Sequence, residues 1–233
     1  ISSANDYQLI MSKAGVIVNR EDRAVLIKDL VQKSASKLDA RPNLTIELLD
    51  ELTDIVESPS LICGQFENSF LELPAEVLST VMQVHQRYVP LYSENAPIDF
   101  LSLDAKNKLI PKFLCISNGL LSAKDVIRLG NERVLKARLA DADFFLRADL
   151  SITSLDRCKK LNSVTFSEGL GTLLNRVERI KWIVENLFAY LDFSTLEKDE
   201  STKAAYLSKH DLVSEIVGEF PELQGIMGGY FSI

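Results

Sequence analysis

Apolar positions recur at three- and four-residue spacing over most of the chain, interrupted by a few short runs of strand-like pattern. Ala14-Gly15-Val16-Ile17-Val18 is short, apolar and β-branched, and predicts a first strand. Asn19 then stands where a helix cap is expected, ahead of a helix over Arg20 to Leu38 with Asp22 in its first turn. Leu26 and Leu30 share a face of that helix. Leu48, Leu49, Leu52, Ile55 and Val56 alternate with Glu47, Asp50, Glu51 and Asp54, which predicts an amphipathic helix with an acidic outer face, ended by Pro59. Ser60 to Phe66, Arg87 to Ser93 and Lys112 to Ser117 predict strands, and Pro74 opens a helix reaching Val84. The last strand is apolar on both sides, so both of its faces are expected to be buried. Glu94 to Leu109, with Pro97 and Asp104-Ala105-Lys106-Asn107, reads as a hairpin loop or small insertion.

From Ala123 onward the pattern is helical. One stripe is Val134, Leu135, Leu139, Ala142, Phe145 and Leu146; a second runs from Leu170 through Leu173, Leu174, Val177, Ile180, Val184 and Leu187 to Phe188. A third helix is expected from Thr202 to Phe220, stopped by Pro221, with the polar stretch Asp192 to Glu200 as separator. The resulting fold class is α+β and helix-rich. A small mixed or antiparallel sheet lies in residues 1–163, and an all-helical domain follows over 164–233, with the boundary near Ser163.

The 233 residues are 46% hydrophobic and 25% charged, an ordinary balance for a globular protein, and no apolar run approaches a membrane span. No basic stretch leads an apolar one at the start, so no secretion signal is expected. Three widely spaced cysteines, Cys63, Cys115 and Cys158, suit a reducing cytoplasm and buried positions better than a disulfide framework. Ile1 and a first methionine at Met11 predict an internal segment of a longer polypeptide.

The net charge of −7 speaks against bulk electrostatic binding of nucleic acid. Its distribution is uneven. Between Pro42 and Gln86 stand eight acids and no Lys or Arg, whereas Lys124 to Lys160 holds nine basic residues against six acids. Arg128, Arg133, Lys136, Arg138 and Arg147 fall on one expected helix, interleaved with Glu132, Asp141 and Asp143. The plain reading is an ion-paired, solvated face; the sharper one is contact with RNA phosphate.

Other constellations are thin. His210-Asp211 has the form of the metal-binding pair of HD-type phosphohydrolases, but that metal needs further ligands from other helices. The only other histidine, His85, lies in the mixed region, so no metal site is expected. Ser167-Glu168-Gly169-Leu170-Gly171-Thr172 resembles a phosphate-cradling loop but lacks the spacing of a dinucleotide or P-loop motif, and reads as a tight turn. Gly228-Gly229 likewise reads as a turn, and Trp182 as helix packing. No nucleophile stands in a recognisable triad, so no catalytic residue is expected.

Six strings of this chain resemble, in order, the β subunit of the bacterial heterotetrameric glycyl-tRNA synthetase. They are Ala14 to Val18, Phe70-Leu71-Glu72-Leu73-Pro74 through His85-Gln86-Arg87-Tyr88, and Gly130-Asn131-Glu132-Arg133-Val134-Leu135. Arg138-Leu139-Ala140-Asp141-Ala142-Asp143-Phe144-Phe145, Leu170-Gly171-Thr172-Leu173 and Val217 to Gly228 complete the set. The resemblance implies an internal piece of a longer subunit that handles tRNA-Gly and meets an α subunit. In such an enzyme the α subunit forms glycyl-adenylate from ATP with Mg, so this segment is expected to hold no cofactor. It also implies that residues 164–233 are an HD-like domain, truncated at the C-terminus, whose pair His210 and Asp211 is degenerate. A cytoplasmic location, with neither membrane nor DNA as partner, completes the expectation. The alternative is an HD-type metal-dependent phosphohydrolase.

Overall fold

The computed structural model describes residues 3–95, 109–118 and 121–232. Their contacts divide the chain into two compact units, Ile1–Asp141 and Ala142–Ile233. The dividing point falls inside one long helix, ahead of the expected boundary at Ser163.

In the first unit the expected strand at Ala14–Val18 is absent. A short helix, α1 (Tyr7–Lys13), ends there instead, and Gly15 at φ +84° turns the chain out of it. The β-branched run that follows is extended without a ladder; the Val16 N–H turns back to the Met11 carbonyl, and the Ile17 N–H donates to the Glu57 carbonyl. Asn19 caps α2 (Arg20–Ser36) as expected, its side chain accepting from the Asp22 N–H at 3.0 Å. The core face of α2 is Ile27, Val31 and Ala35 rather than Leu26 and Leu30, which are half-buried.

A short edge strand, β1 (Ala40–Pro42), leads to α3 (Ile46–Ile55), which buries Leu48 and Leu52 and leaves Ile55 exposed. The acids on its outer face are partly committed: Arg20 bonds Asp50 and Asp54, and Arg87 bonds Glu51 at 2.7 Å. β2 (Ser60–Gln65) is followed by α4 (Ala75–Thr80), capped by Pro74 and continued as a π-helical turn over Val81–His85. β3 (Tyr88–Ser93) and β4 (Leu109–Ser117) close the sheet. The expected loop from Glu94 to Leu109 lies mostly outside the described residues.

The sheet is antiparallel, with order β1-β3-β4-β2. α2 and α3 pack on the face carrying Val89, Leu91, Leu114 and Ile116. On the other face α4 is tied down by Ser79, whose hydroxyl lies 2.6 Å from that of Tyr92. A long helix, α5 (Lys124–Leu150), covers the same face by way of Asn131, which donates to Cys115 Sγ. Both faces of the central strands are thus covered, as the apolar runs predict.

The second unit begins with the end of α5 and continues with α6 (Ser154–Lys160). It carries a two-stranded ribbon, β5 (Thr165–Ser167) with β6 (Gly171–Thr172), so it is not wholly helical. The ribbon is the glycine-bearing loop of the sequence reading: Gly169 and Gly171, at φ +74° and +80°, make a tight turn rather than a phosphate cradle. Thr172 then caps α7 (Leu173–Leu187) in a reciprocal box with Asn175. Only Leu173 and Val177 of the expected stripe are buried. Trp182 is 64% exposed and does not pack inward.

The helix expected from Thr202 to Phe220 is two. Ser194 starts α8 (Thr195–Leu207) within the stretch read as a separator, and Ser214 starts α9 (Glu215–Glu219). Between them His210–Val213 forms a 3-10 turn. Pro221 opens a further 3-10 turn, and Gly228 and Gly229 lie inside α10 (Ile226–Phe231), not in a turn.

Candidate nucleic-acid interface

β2 ends at Gln65, beside the start of β4, and α5 runs past both. Gln65 donates its N–H to Glu132 Oε1 at 3.1 Å, and Phe66 donates to the Pro111 carbonyl at 3.1 Å. Arg128 Nη1 reaches both Glu132 oxygens at 3.2 Å. The Glu132 carboxylate is therefore neutralised by Arg128 while it ties α5 to the sheet. One turn on, Lys136 Nζ pairs with Glu67 Oε1. These residues frame an open cleft of about 540 Å³, with Phe66 and Pro111 among its apolar lining and Lys112, Arg133 and Lys136 as its cations. Lys112 and Arg133 form no ion pair among the described residues.

The five cations expected to mark one RNA-facing helix do not form one face. Arg133 and Lys136 share the cleft. Arg128 sits behind it, spent on Glu132 and, at 3.7 Å, Asp125. Arg138 is half-buried, and helical geometry carries it roughly 140° around α5 from Arg133. Arg147 belongs to the second unit and pairs with Asp143 at 2.8 Å. Lys112 was legible only as the first residue of an expected strand; its place beside α5 comes from the pairing of β4 with β2, which no local pattern encodes.

Behind the cleft, burial pushes the Cys115 thiol up to about 11, with the Asn131 hydrogen bond opposing this. Iodoacetamide at pH 8 should alkylate Cys115 on the order of 100-fold more slowly than a free thiol, and the rate should climb about tenfold per pH unit toward pH 11. Mass-spectrometric rates that level off near pH 9 would contradict this.

In the second unit His210 and Asp211 are both buried, at 1% and 2% exposure, and both serve the backbone. His210 Nδ1 contacts the Leu207 carbonyl at 2.5 Å, leaving Nε2 without a hydrogen-bond partner among the described residues. Asp211 Oδ2 accepts from Gly225 N–H and from Gly228 N–H at 3.2 Å. Gly228 lets the carboxylate lie close: a Cβ on it would stand 3.2 Å from Asp211, a tight contact. No group of three His, Cys, Asp or Glu side chains among the described residues converges as metal ligands would. The donor set does not fit an HD-type metal, and the phosphohydrolase alternative finds no support.

Asp149 and Arg157 escaped the sequence reading. Both are buried, Arg157 donating to the Asp149 carbonyl and lying 3.8 Å over the Phe231 ring. Burial lowers the Arg157 pKa, against the opposing pull of Asp149 and Asp211. The Asp149 carboxylate accepts from the N–H groups of Glu215 and Ile216 at 3.0 and 2.9 Å.

A family model described as glycyl-tRNA synthetase beta subunit matches residues 1–233. The chain belongs to the glycyl-tRNA synthetase beta subunit family. Relatives named glycine–tRNA ligase beta subunit include one from Acaryochloris marina, 41% identical over 237 residues, covering all of this chain and 31% of that protein. One from Listeria welshimeri is 38% identical over 237 residues, and one from Gloeothece citriformis 40% over 233, each covering all of this chain and 32% of the relative. The chain thus spans about a third of the beta subunits it matches. In this beta-subunit family member, no helix among the described residues is long and apolar enough to cross a membrane.

Proposed function

We propose that this chain is a tRNA-positioning and subunit-contacting part of a glycine–tRNA ligase, working in the cytoplasm beside an α subunit that joins glycine to ATP. The reading is carried by the family match along the whole chain. The site geometry agrees with it: among the residues that line the cleft, three cations stand against two acids. The contribution to ligation is then geometric. Cations that fix the RNA relative to a reacting centre elsewhere convert an encounter into a positioned step, and ATP with Mg stays with the α subunit. The HD-like description of the second unit stands on the resemblance alone, and metal chemistry forms no part of the proposal.

The full-length subunit assembled with its α partner tests this. Arg133→Glu should raise KM for tRNA about tenfold or more, by loss and reversal of a phosphate contact. Glycine-dependent ATP–pyrophosphate exchange should keep its wild-type rate. An unchanged KM, or exchange lost in an assembly that is still intact, would contradict the proposal.

A further inference from the structure

We infer that the cleft between the end of β2 and α5 seats the sugar–phosphate backbone of RNA, with Lys112 and Arg133 as its two phosphate-binding cations. This deepens the tRNA-positioning reading and rests on it. The cleft is lined by two acids, Glu67 and Glu132, and three cations, Lys112, Arg133 and Lys136. Arg128 adds a fourth cation from the adjoining recess that Lys112 and Glu132 also line. Glu132 is consumed by Arg128 and the Gln65 N–H, and Glu67 by Lys136. Arg128 also meets Asp125 at 3.7 Å, so the cations left at the cleft without an ion pair among the described residues are Lys112 and Arg133, although the chain as a whole carries −7. A surplus of one sign held beside spent acids in a concave surface concentrates the field on an incoming anion.

The kind of anion follows from the donors. Sites that enclose a free nucleotide offer backbone N–H groups from a glycine-rich turn. Here no glycine lines the cleft, the Gln65 N–H is given to Glu132 and the Phe66 N–H to Pro111, and the cationic donors are side chains. Side-chain cations along an open groove suit successive phosphates of a polymer, and Phe66 and Pro111 provide an apolar surface for the sugar between them.

The test is a salt titration of tRNA binding by the full-length subunit in complex with its α partner. It compares the wild type, Lys112→Gln with Arg133→Gln, and Lys33→Gln on α2 as an exposed lysine far along the sequence. Each phosphate contact contributes close to one unit to the slope of log affinity against log salt. The double variant should therefore lose about two units of slope and bind tRNA at least tenfold more weakly at low salt, whereas Lys33→Gln should match the wild type. A slope equal to the wild type's in the double variant overturns the cleft, and the positioning reading survives if tRNA still cross-links to other peptides of this chain. If the slope is unchanged and no cross-link falls on this chain, both fall. A rise in the KM for ATP with tRNA binding intact would identify a free nucleotide as the occupant and overturn the RNA assignment.

Discussion

Replacing Asp149 with Ala should lower the unfolding free energy of the second unit by about 3–5 kcal/mol, the cost of removing a buried carboxylate that accepts two backbone N–H bonds. Three losses add. The N–H groups of Glu215 and Ile216 lose their acceptor at the start of α9. Arg157, 2% exposed, keeps its charge with only Asp211 left as a nearby acid. A cavity opens where the side chain was. Asp149→Asn keeps one acceptor oxygen and the volume, so its cost should be clearly smaller, about 1–3 kcal/mol. Urea denaturation of the chain measures both, with the fluorescence of Trp182 on α7 reporting on this unit. A loss below 1 kcal/mol for Asp149→Ala would show that the cluster does not hold the C-terminal helices.

The second large effect is expected in the first unit, at Gly64. Gly64 pairs directly with Phe113 across β2 and β4, and the Phe113 ring lies over it. A Cβ at Gly64 would stand 2.4 Å from the tip of that ring. The ring has nowhere to go: Phe113 is fully buried and stacked on Tyr88 at 4.6 Å. Gly64→Ala should therefore cost about 1–3 kcal/mol, and Gly64→Val more, the usual penalty for overpacking. The cause is separable by a double-mutant cycle. In a Phe113→Leu background, Gly64→Ala should cost nothing measurable, because the clashing ring is gone. An equal cost in both backgrounds would place the penalty in the backbone of β2 and contradict the packing account.

These two sites mark where sequence reasoning reaches and where it stops. Periodicity located β2, β3 and β4 to within a few residues, because each is a short apolar run bounded by polar or turn residues. It placed α2 and its Asn19 cap for the same reason. It failed at Ala14–Val18, where β-branched composition outweighed the missing partner strand. It also failed between Thr202 and Phe220, where Ser194 and Ser214 restart helices that the apolar stripe alone would join. His210-Asp211 was legible as a pair, but its task was not. The Asp211 carboxylate meets backbone N–H groups some 14 and 17 residues away, which no spacing rule anticipates. Of the cleft, α5 supplied Arg133 and Lys136 visibly as a basic helix. Lys112 joins them only through strand pairing, and which cations remain unspent is a fact of ion pairing, not of composition.

A cross-linking map of tRNA on the full-length subunit, in its assembly with the proposed α partner, reads out where this chain meets RNA. If this chain works by holding RNA, adducts will fall on the peptides that carry Lys112 and Arg133–Lys136, and they will fade as salt is raised. Adducts found only on peptides outside this chain, in an assembly that charges tRNA normally, would contradict it.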